Sequence, residues 1–177
     1  KTLDWIRDQK GKRFFAWLHL YDPHSPYDPP EPYATAYAGR LYAGEIAYVD
    51  SLIGELIDEL SRSSLLGRTL VVIAGDHGES LGEHAESGHA FFVYGVSTHV
   101  PLILNGPWPG MAGRRIPQVV STVDIMPTVL DLLGVKPAGR AQGRSLVPLL
   151  TGGSAAEPEP AYAESFYARY HFGWSDL

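Results

Sequence analysis

The stretch Thr69-Leu70-Val71-Val72-Ile73-Ala74-Gly75-Asp76-His77-Gly78-Glu79-Ser80-Leu81-Gly82-Glu83-His84 decides how this 177-residue chain reads. A β-branched apolar run stops abruptly at an Asp-His pair followed by glycine, which is a strand running into a turn. A strand that ends by presenting a carboxylate beside an imidazole is a good place to hold a divalent metal. The plainer alternative is a junction in which Asp76 caps a helix and His77 faces solvent, since Asp and Gly are ordinary turn residues. Both readings stay open on these residues alone.

Upstream, Phe14-Phe15-Ala16-Trp17-Leu18-His19-Leu20 reads as a second buried strand, stopped by Tyr21-Asp22-Pro23. The following Asp22-Pro23-His24-Ser25-Pro26-Tyr27-Asp28-Pro29-Pro30 is a stiff loop, because each proline removes a backbone donor and restricts its predecessor. Between Leu41 and Leu60, Ile46, Val49, Leu52, Ile53, Leu56, Ile57 and Leu60 recur at three- and four-residue steps. That spacing predicts an amphipathic helix whose apolar face covers a sheet, with Glu45, Asp50, Glu55, Asp58 and Glu59 on a solvated face.

Downstream, the Gly- and His-rich segment 75–89 is a loop. Val100-Pro101-Leu102-Ile103-Leu104 is a buried strand, with Pro101 near an edge or at its first paired positions. A helix is predicted from about Asp124 to Leu133, ended by Gly134. Residues 152–160 form a flexible connection, and Ala161-Tyr162-Ala163-Glu164-Ser165 is a short strand candidate. Continuous rather than alternating apolar strands imply a sheet buried on both faces, hence a helix/sheet/helix sandwich. Ligand sites in such sheets lie beyond the carboxyl ends of the strands. The loops 21–30 and 75–89 both follow such ends, which is the reason to assign them to one site.

Composition sets the outer bounds. With 45% hydrophobic residues the chain can bury a substantial core, and one domain is expected. A net charge of −6 without a Lys/Arg run argues against a nucleic-acid partner. There is no cysteine, which excludes disulfides, thiolate metal sites and a cysteine nucleophile in this segment. No apolar stretch approaches the roughly 20 residues of a membrane span, and no signal peptide opens the chain. A start at Lys1 and an end at Leu177 in mid-pattern suggest part of something longer.

Five of the seven histidines, His19, His24, His77, His84 and His89, fall in or beside the two loops. Asp76 with His77 leans toward a transition metal or a tolerant site, and at least two further ligands must come from elsewhere. His24, in its proline-fixed loop, suits contact with an anionic oxygen or protonation of a leaving oxygen, or is an exposed turn ring. His89 could bind the same anion or be a half-buried packing residue. His84 reads as a surface ring or a support for a ligand, and His19 as a core or supporting residue. Glu79 and Glu83 suit a helix cap or the orientation of a ligand histidine. Arg114-Arg115 is read as a solvated pair, and Tyr162, Phe166, Tyr167, Tyr170, His171, Phe172 and Trp174 as packing.

Several motifs together carry a family resemblance. They are Leu18-His19-Leu20-Tyr21-Asp22-Pro23-His24-Ser25-Pro26-Tyr27, the Tyr42 to Leu60 helix with Val49-Asp50 and Ile53-Gly54, and Gly75-Asp76-His77-Gly78-Glu79 with Leu81-Gly82-Glu83-His84. Val100-Pro101-Leu102-Ile103, Val123-Asp124-Ile125-Met126-Pro127-Thr128 and Gly143-Arg144-Ser145-Leu146 follow in the same order. The set resembles the C-terminal half of a sulfatase, in the alkaline phosphatase superfamily. The tail, Glu164-Ser165-Phe166-Tyr167 with His171-Phe172-Gly173-Trp174, is similar to bacterial members.

The resemblance implies an alkaline-phosphatase-like three-layer α/β/α sandwich with a mixed, mainly parallel sheet, its N-terminal half outside this chain. Residues 1–152 would be the C-terminal portion of the catalytic domain, and 153–177 a linker with the start of a C-terminal strand and aromatic segment. It further implies hydrolysis of a small sulfate ester at one divalent ion, Ca, Mn or Zn, with a formylglycine nucleophile outside this segment. Asp76 and His77 are similar to two of the family's metal ligands. His24 looks like the histidine that contacts the sulfate or leaving oxygen, and His89 stands where many members have a substrate-binding lysine. Many calcium-dependent members have Asn at the place of His77. The Asp-His form resembles phosphonate monoester hydrolases, so a phosphonate or phosphate ester is the alternative substrate, and a non-catalytic binding domain the alternative role.

Overall fold

The structure, a computed structural model, describes residues 1–153 and 160–175. They form two compact units, Lys1–Thr69 and Leu70–Leu177. The first contains helices α1 (Thr2–Arg7), α2 (Tyr33–Ala36) and α3 (Leu41–Arg62). The second contains strands β1 (Val71–Ala74), β2 (Ser80–Leu81), β3 (Ser87–Gly88) and β4 (Leu102–Asn105). Its helices are α4 (Gly95–Thr98), α5 (Ile125–Leu132), α6 (Val147–Leu150) and α7 (Tyr167–Phe172). Among the described residues no helix is long and apolar enough to cross a membrane.

The predicted helix is α3, and it departs from its predicted polarity in one respect. Glu45 and Glu59, expected in solvent, are 2% and 3% exposed. Counting along the helix explains this: 45, 49, 52, 56 and 59 follow one another at three- and four-residue steps. Both carboxylates therefore share the stripe of Val49, Leu52 and Leu56. Buried carboxylates need partners. Glu59 accepts a hydrogen bond from Arg7 Nη2 at 2.8 Å, which ties α1 to α3, and others from Ser63 Oγ at 2.8 Å and Arg62 Nη2 at 3.3 Å. Ile6 and Leu65, both buried, lie in the same unit.

In the second unit, β1 and β4 pair antiparallel, with Ala74 opposite Leu102 and Val71 opposite Asn105. The mainly parallel part of the expected sheet is not among the described ladders. Gly75 N–H reaches Pro101 O at 3.2 Å, and there the ladder stops, because Pro101 has no N–H to return the bond. The expectation for Pro101 at the first paired position is thus met. One face of this pair is covered: Leu70, Leu102 and Leu104 pack on a core of Met111, Leu132, Leu146 and Leu150. Burial on both faces, expected from the apolar runs, is not found, since Ile103 is 54% exposed.

Buried polar contacts join the helix α5 to the segment before α6. The Asp124 carboxylate accepts Ser121 N–H and Arg144 N–H, each at 2.9 Å, and Ser121 and Asp124 complete a capping box. Thr128 Oγ1 donates to Asp124 O at 2.6 Å and accepts Leu146 N–H at 2.8 Å. A Cβ at Gly143 would sit 2.2 Å from Val123 O, so only glycine allows this approach. Two motifs far apart in the sequence are therefore one structural joint.

Two predicted strands are absent. Residues 14–20 form no ladder among the described residues, and Phe15 and Trp17 are 78% and 82% exposed. An apolar run becomes a strand only where another backbone takes its donors and acceptors, and none of the described segments does so. Residues 161–165 are likewise not a strand; Ser165 is instead pinned by its hydroxyl to Ala90 O. Most of the connection expected at 152–160 lies outside the described residues.

The ion pair on α3 sets a pH dependence. Hydrogen bonds from Arg7, then Ser63 and Arg62, lower the Glu59 pKa from 4.5 to about 2. A carboxyl whose folded pKa lies below its unfolded value stabilises the fold above the unfolded pKa and loses that contribution as pH falls through the folded one. Glu59→Gln should lower the melting temperature at neutral pH, and the gap from the unaltered chain should close between about pH 4.5 and about pH 2. Thermal denaturation across that range measures it; a pH-independent gap would contradict the assignment.

Candidate active site

Asp76 and His77 stand where the β1–β4 ladder ends. Gly78, the next residue, seats the turn: its N–H donates to Ser97 O at 2.8 Å, and a Cβ there would lie 2.0 Å from Val96 O. Only a glycine lets the turn press this closely on α4. Asp76 caps no helix. Its Oδ1 accepts the His77 N–H at 3.0 Å, and its side chain is 83% exposed.

The His77 ring is fixed by two contacts. Its Nδ1 lies 2.9 Å from Gly78 O, and a carbonyl can only accept, so the hydrogen-bond network assigns the ring proton to Nδ1. Nε2 then carries the lone pair, 3.9 Å from Asp76 Oδ2. The ring stacks on that of His89, with centroids 3.8 Å apart and planes at 28°. Nothing in the residue order signals this contact, because eleven residues of loop intervene.

The loop is closed by a small hairpin, β2 with β3, in which Ser80 faces Gly88 and Leu81 faces Ser87. The Ser80 hydroxyl, fully buried, is 3.0 Å from both Glu83 O and Glu86 O. Backbone N–H groups of Glu83 itself and of Leu81 hold the Glu83 carboxyl below the usual carboxylate range. Glu83 is thus a structural clasp within the turn. The hairpin brings Glu79 to His89: Oε1 is 3.1 Å from Nδ1, and the Glu79 side chain is 4% exposed. Glu79 thus contacts His89 and not His77, the histidine of the metal-ligand pair.

His84 is not part of this group. It takes a left-handed backbone conformation at φ 57°, and its ring stacks on Tyr94 at 4.0 Å. The aromatic tail packs on the same loop from within the unit, with Phe91 against Tyr167, Phe172 and Trp174.

His24 and His19 belong to the first unit. His24 Nδ1 is 2.6 Å from Ser25 O and 2.9 Å from the Tyr21 hydroxyl, and the two rings lie 4.4 Å apart. The Ser25 carbonyl assigns the ring proton to Nδ1. The loop backbone is held by Glu45, whose two oxygens accept His24 N–H at 3.0 Å and Asp28 N–H at 2.7 Å. Glu45 is the residue that the sequence reading missed. Its place on the apolar stripe, directly after Gly44, was the available signal. His19 is exposed on an unpaired segment and makes no core contact of the kind expected of it.

As a metal centre, the donor set fits in part. An exposed carboxylate and an imidazole with a defined Nε2 lone pair offer two ligands of the kind a borderline divalent ion takes. Among the described residues no group of three or more His, Cys, Asp or Glu is arranged to hold an ion. The pair is half of a coordination shell.

The sulfatase family profile matches residues 1–135. The chain is 40% identical over 120 residues to arylsulfatase K of Xenopus laevis, covering 68% of this chain and 22% of that protein. It is 38% identical over 122 residues to the choline-sulfatase of Rhizobium meliloti, covering 67% and 23%. It therefore spans less than a third of the length of these relatives. Among solved structures, a phosphonate monoester hydrolase from Silicibacter pomeroyi superposes with a TM-score of 0.78 at 24% identity, covering 98% of this chain and 48% of that one. That likeness speaks for the fold, an alkaline-phosphatase-like α/β architecture of which this chain holds part. With the profile covering most of its length and the Asp-His turn at the end of β1, the chain belongs to the sulfatase family.

Proposed function

We propose that the protein carrying this chain hydrolyses small sulfate esters at one divalent metal ion, with Asp76 and His77 as two of the ligands. The observation that carries this reading is the stack of His77 on His89, backed by the Glu79 carboxylate. It gathers a metal-type donor pair and an anion-type imidazole at one strand end. Family membership and the names of the relatives support sulfate as the transferred group.

The bound ion would supply charge neutralisation at the ester oxygens. This chain's residues do the rest of their part by holding and orienting. Gly78 O fixes the His77 tautomer, which leaves the Nε2 lone pair as the one that would hold an ion. Glu79 holds Nδ1 of His89, and with its other nitrogen also protonated the ring would donate to an anionic ester oxygen. His24, as an imidazolium that keeps its Nδ1–H on Ser25 O, would give its Nε2 proton to the departing alcohol oxygen and be left as the Nδ1–H tautomer. The nucleophile, by family resemblance a formylglycine, is not among these residues, so the 177-residue chain by itself is expected to bind metal weakly and to turn over an aryl sulfate negligibly.

The Asp-His pair keeps phosphonate and phosphate esters as the second reading. Parallel assays of the full protein on aryl sulfate, aryl phosphate and aryl phosphonate, each with Ca, Mn and Zn, separate the two; turnover of the phosphonate alone would overturn the sulfate reading. Removal of the Asp76 or His77 side chain by alanine should weaken metal retention at least about 100-fold, more than loss of an outer contact does. Metal content after dialysis against a graded chelator measures this. His24→Ala should lower kcat/KM by about 10²- to 10⁴-fold, most for esters of poor leaving groups. An equal loss across leaving groups would remove the acid role.

A further inference from the structure

We propose that Glu45 is a positioning residue for His24, acting through the backbone of the loop that carries it. The inference rests on the reading of His24 as the proton donor. Glu45 is 2% exposed, on the first turns of α3, and its two carboxylate oxygens are spent on two backbone N–H groups of one loop, those of His24 and Asp28. The carboxylate offers a separate acceptor oxygen to each N–H, where an apolar residue offers none and a glutamine would set its NH2 against one of them.

The geometry separates two tasks. The direction of the His24 ring is set locally, by the Ser25 carbonyl and the Tyr21 hydroxyl and ring. The location of its backbone is set by Glu45. Pro29 adds the third anchor: a Cβ at Gly44 would lie 2.9 Å from Pro29 Cγ, so helix and loop touch directly beside Glu45. Pro23, Pro26, Pro29 and Pro30 stiffen the chain between and around these anchors. A stiff loop clamped at its ends transmits the position of α3 to the His24 ring.

The test measures kcat/KM of the full protein for a series of sulfate esters of rising leaving-group pKa, in Glu45→Gln, His24→Ala and the double variant. Glutamine keeps the shape, but its NH2 opposes one of the two N–H groups. We expect Glu45→Gln to lose about 10- to 100-fold on poor leaving groups, with little loss on an activated nitrophenyl ester. In the His24→Ala background the same substitution should change the rate by less than about 2-fold, because the group it positions is gone. Should Glu45→Gln not fold, Glu45→Asp, which keeps the charge one methylene short, takes its place, with hydrogen exchange at the His24 and Asp28 amides as the second readout; both amides should exchange faster.

A uniform loss on all esters, together with a lowered melting temperature, would make Glu45 a purely structural residue and overturn the proposal. So would an unchanged leaving-group dependence in Glu45→Gln beside a steepened one in His24→Ala, which leaves the acid role of His24 standing. If His24→Ala shows no leaving-group dependence, the reading beneath falls and the proposal with it.

Discussion

The end of the β1–β4 ladder is the constraint on which the candidate site depends. Gly75 donates to Pro101 O, but proline cannot donate back, so pairing ceases one residue before Asp76. The strand delivers Asp76 and His77 to a fixed place and then releases their backbone from the sheet. Gly78 turns the chain at once, pressed against Val96 and Ser97 more closely than any side chain would allow. Two residues without ordinary backbone chemistry, one lacking a donor and one lacking a Cβ, decide where a carboxylate and an imidazole stand.

The loop that follows returns on itself through the Ser80–Gly88 and Leu81–Ser87 pairs, and this return makes the histidine pair. The buried Ser80 hydroxyl and the Glu83 clasp close the turn, and His89 arrives over His77 with Glu79 at its back. The same logic operates in the other unit with different parts. There a buried carboxylate on a helix, and not a hairpin, fixes the loop that bears a histidine. In both cases the chemistry-bearing ring is directed by a carbonyl of the next residue, Gly78 for His77 and Ser25 for His24. Adjacent carbonyls select the tautomer, and more distant carboxylates set the location.

Buried polar groups carry much of the architecture. Asp124 and Thr128 join the start of α5 to the segment before α6 through two hydrogen bonds, from Arg144 N–H and Leu146 N–H, and Glu59 joins α1 to α3 through Arg7. Each is satisfied on both sides, the condition under which burial of polar atoms specifies a single arrangement at modest cost. These joints explain why Val123-Asp124 and Gly143-Arg144, distant in sequence, act as one unit.

Short-range physics made several elements legible from residue order alone. The periodicity of α3, the apolar runs of β1 and β4, the capped start and glycine stop of α5, and the turn at Gly75–Gly78 all follow from backbone preferences and spacing. The histidines of the two loops could be named for the same reason, since they sit beside turns that the prolines and glycines announce. Relations between distant residues required the tertiary structure. Residues 14–20 have strand composition but no partner among the described residues, and a strand is defined by its partner. Glu45 and Glu59 look like surface charges until the helix is seen to bury them, because hydropathy records the residue and not its neighbours. The stack of His77 on His89 and the clamp of Glu45 on the His24 loop were settled by chain reversal and helix docking, which bring together groups that the sequence keeps apart.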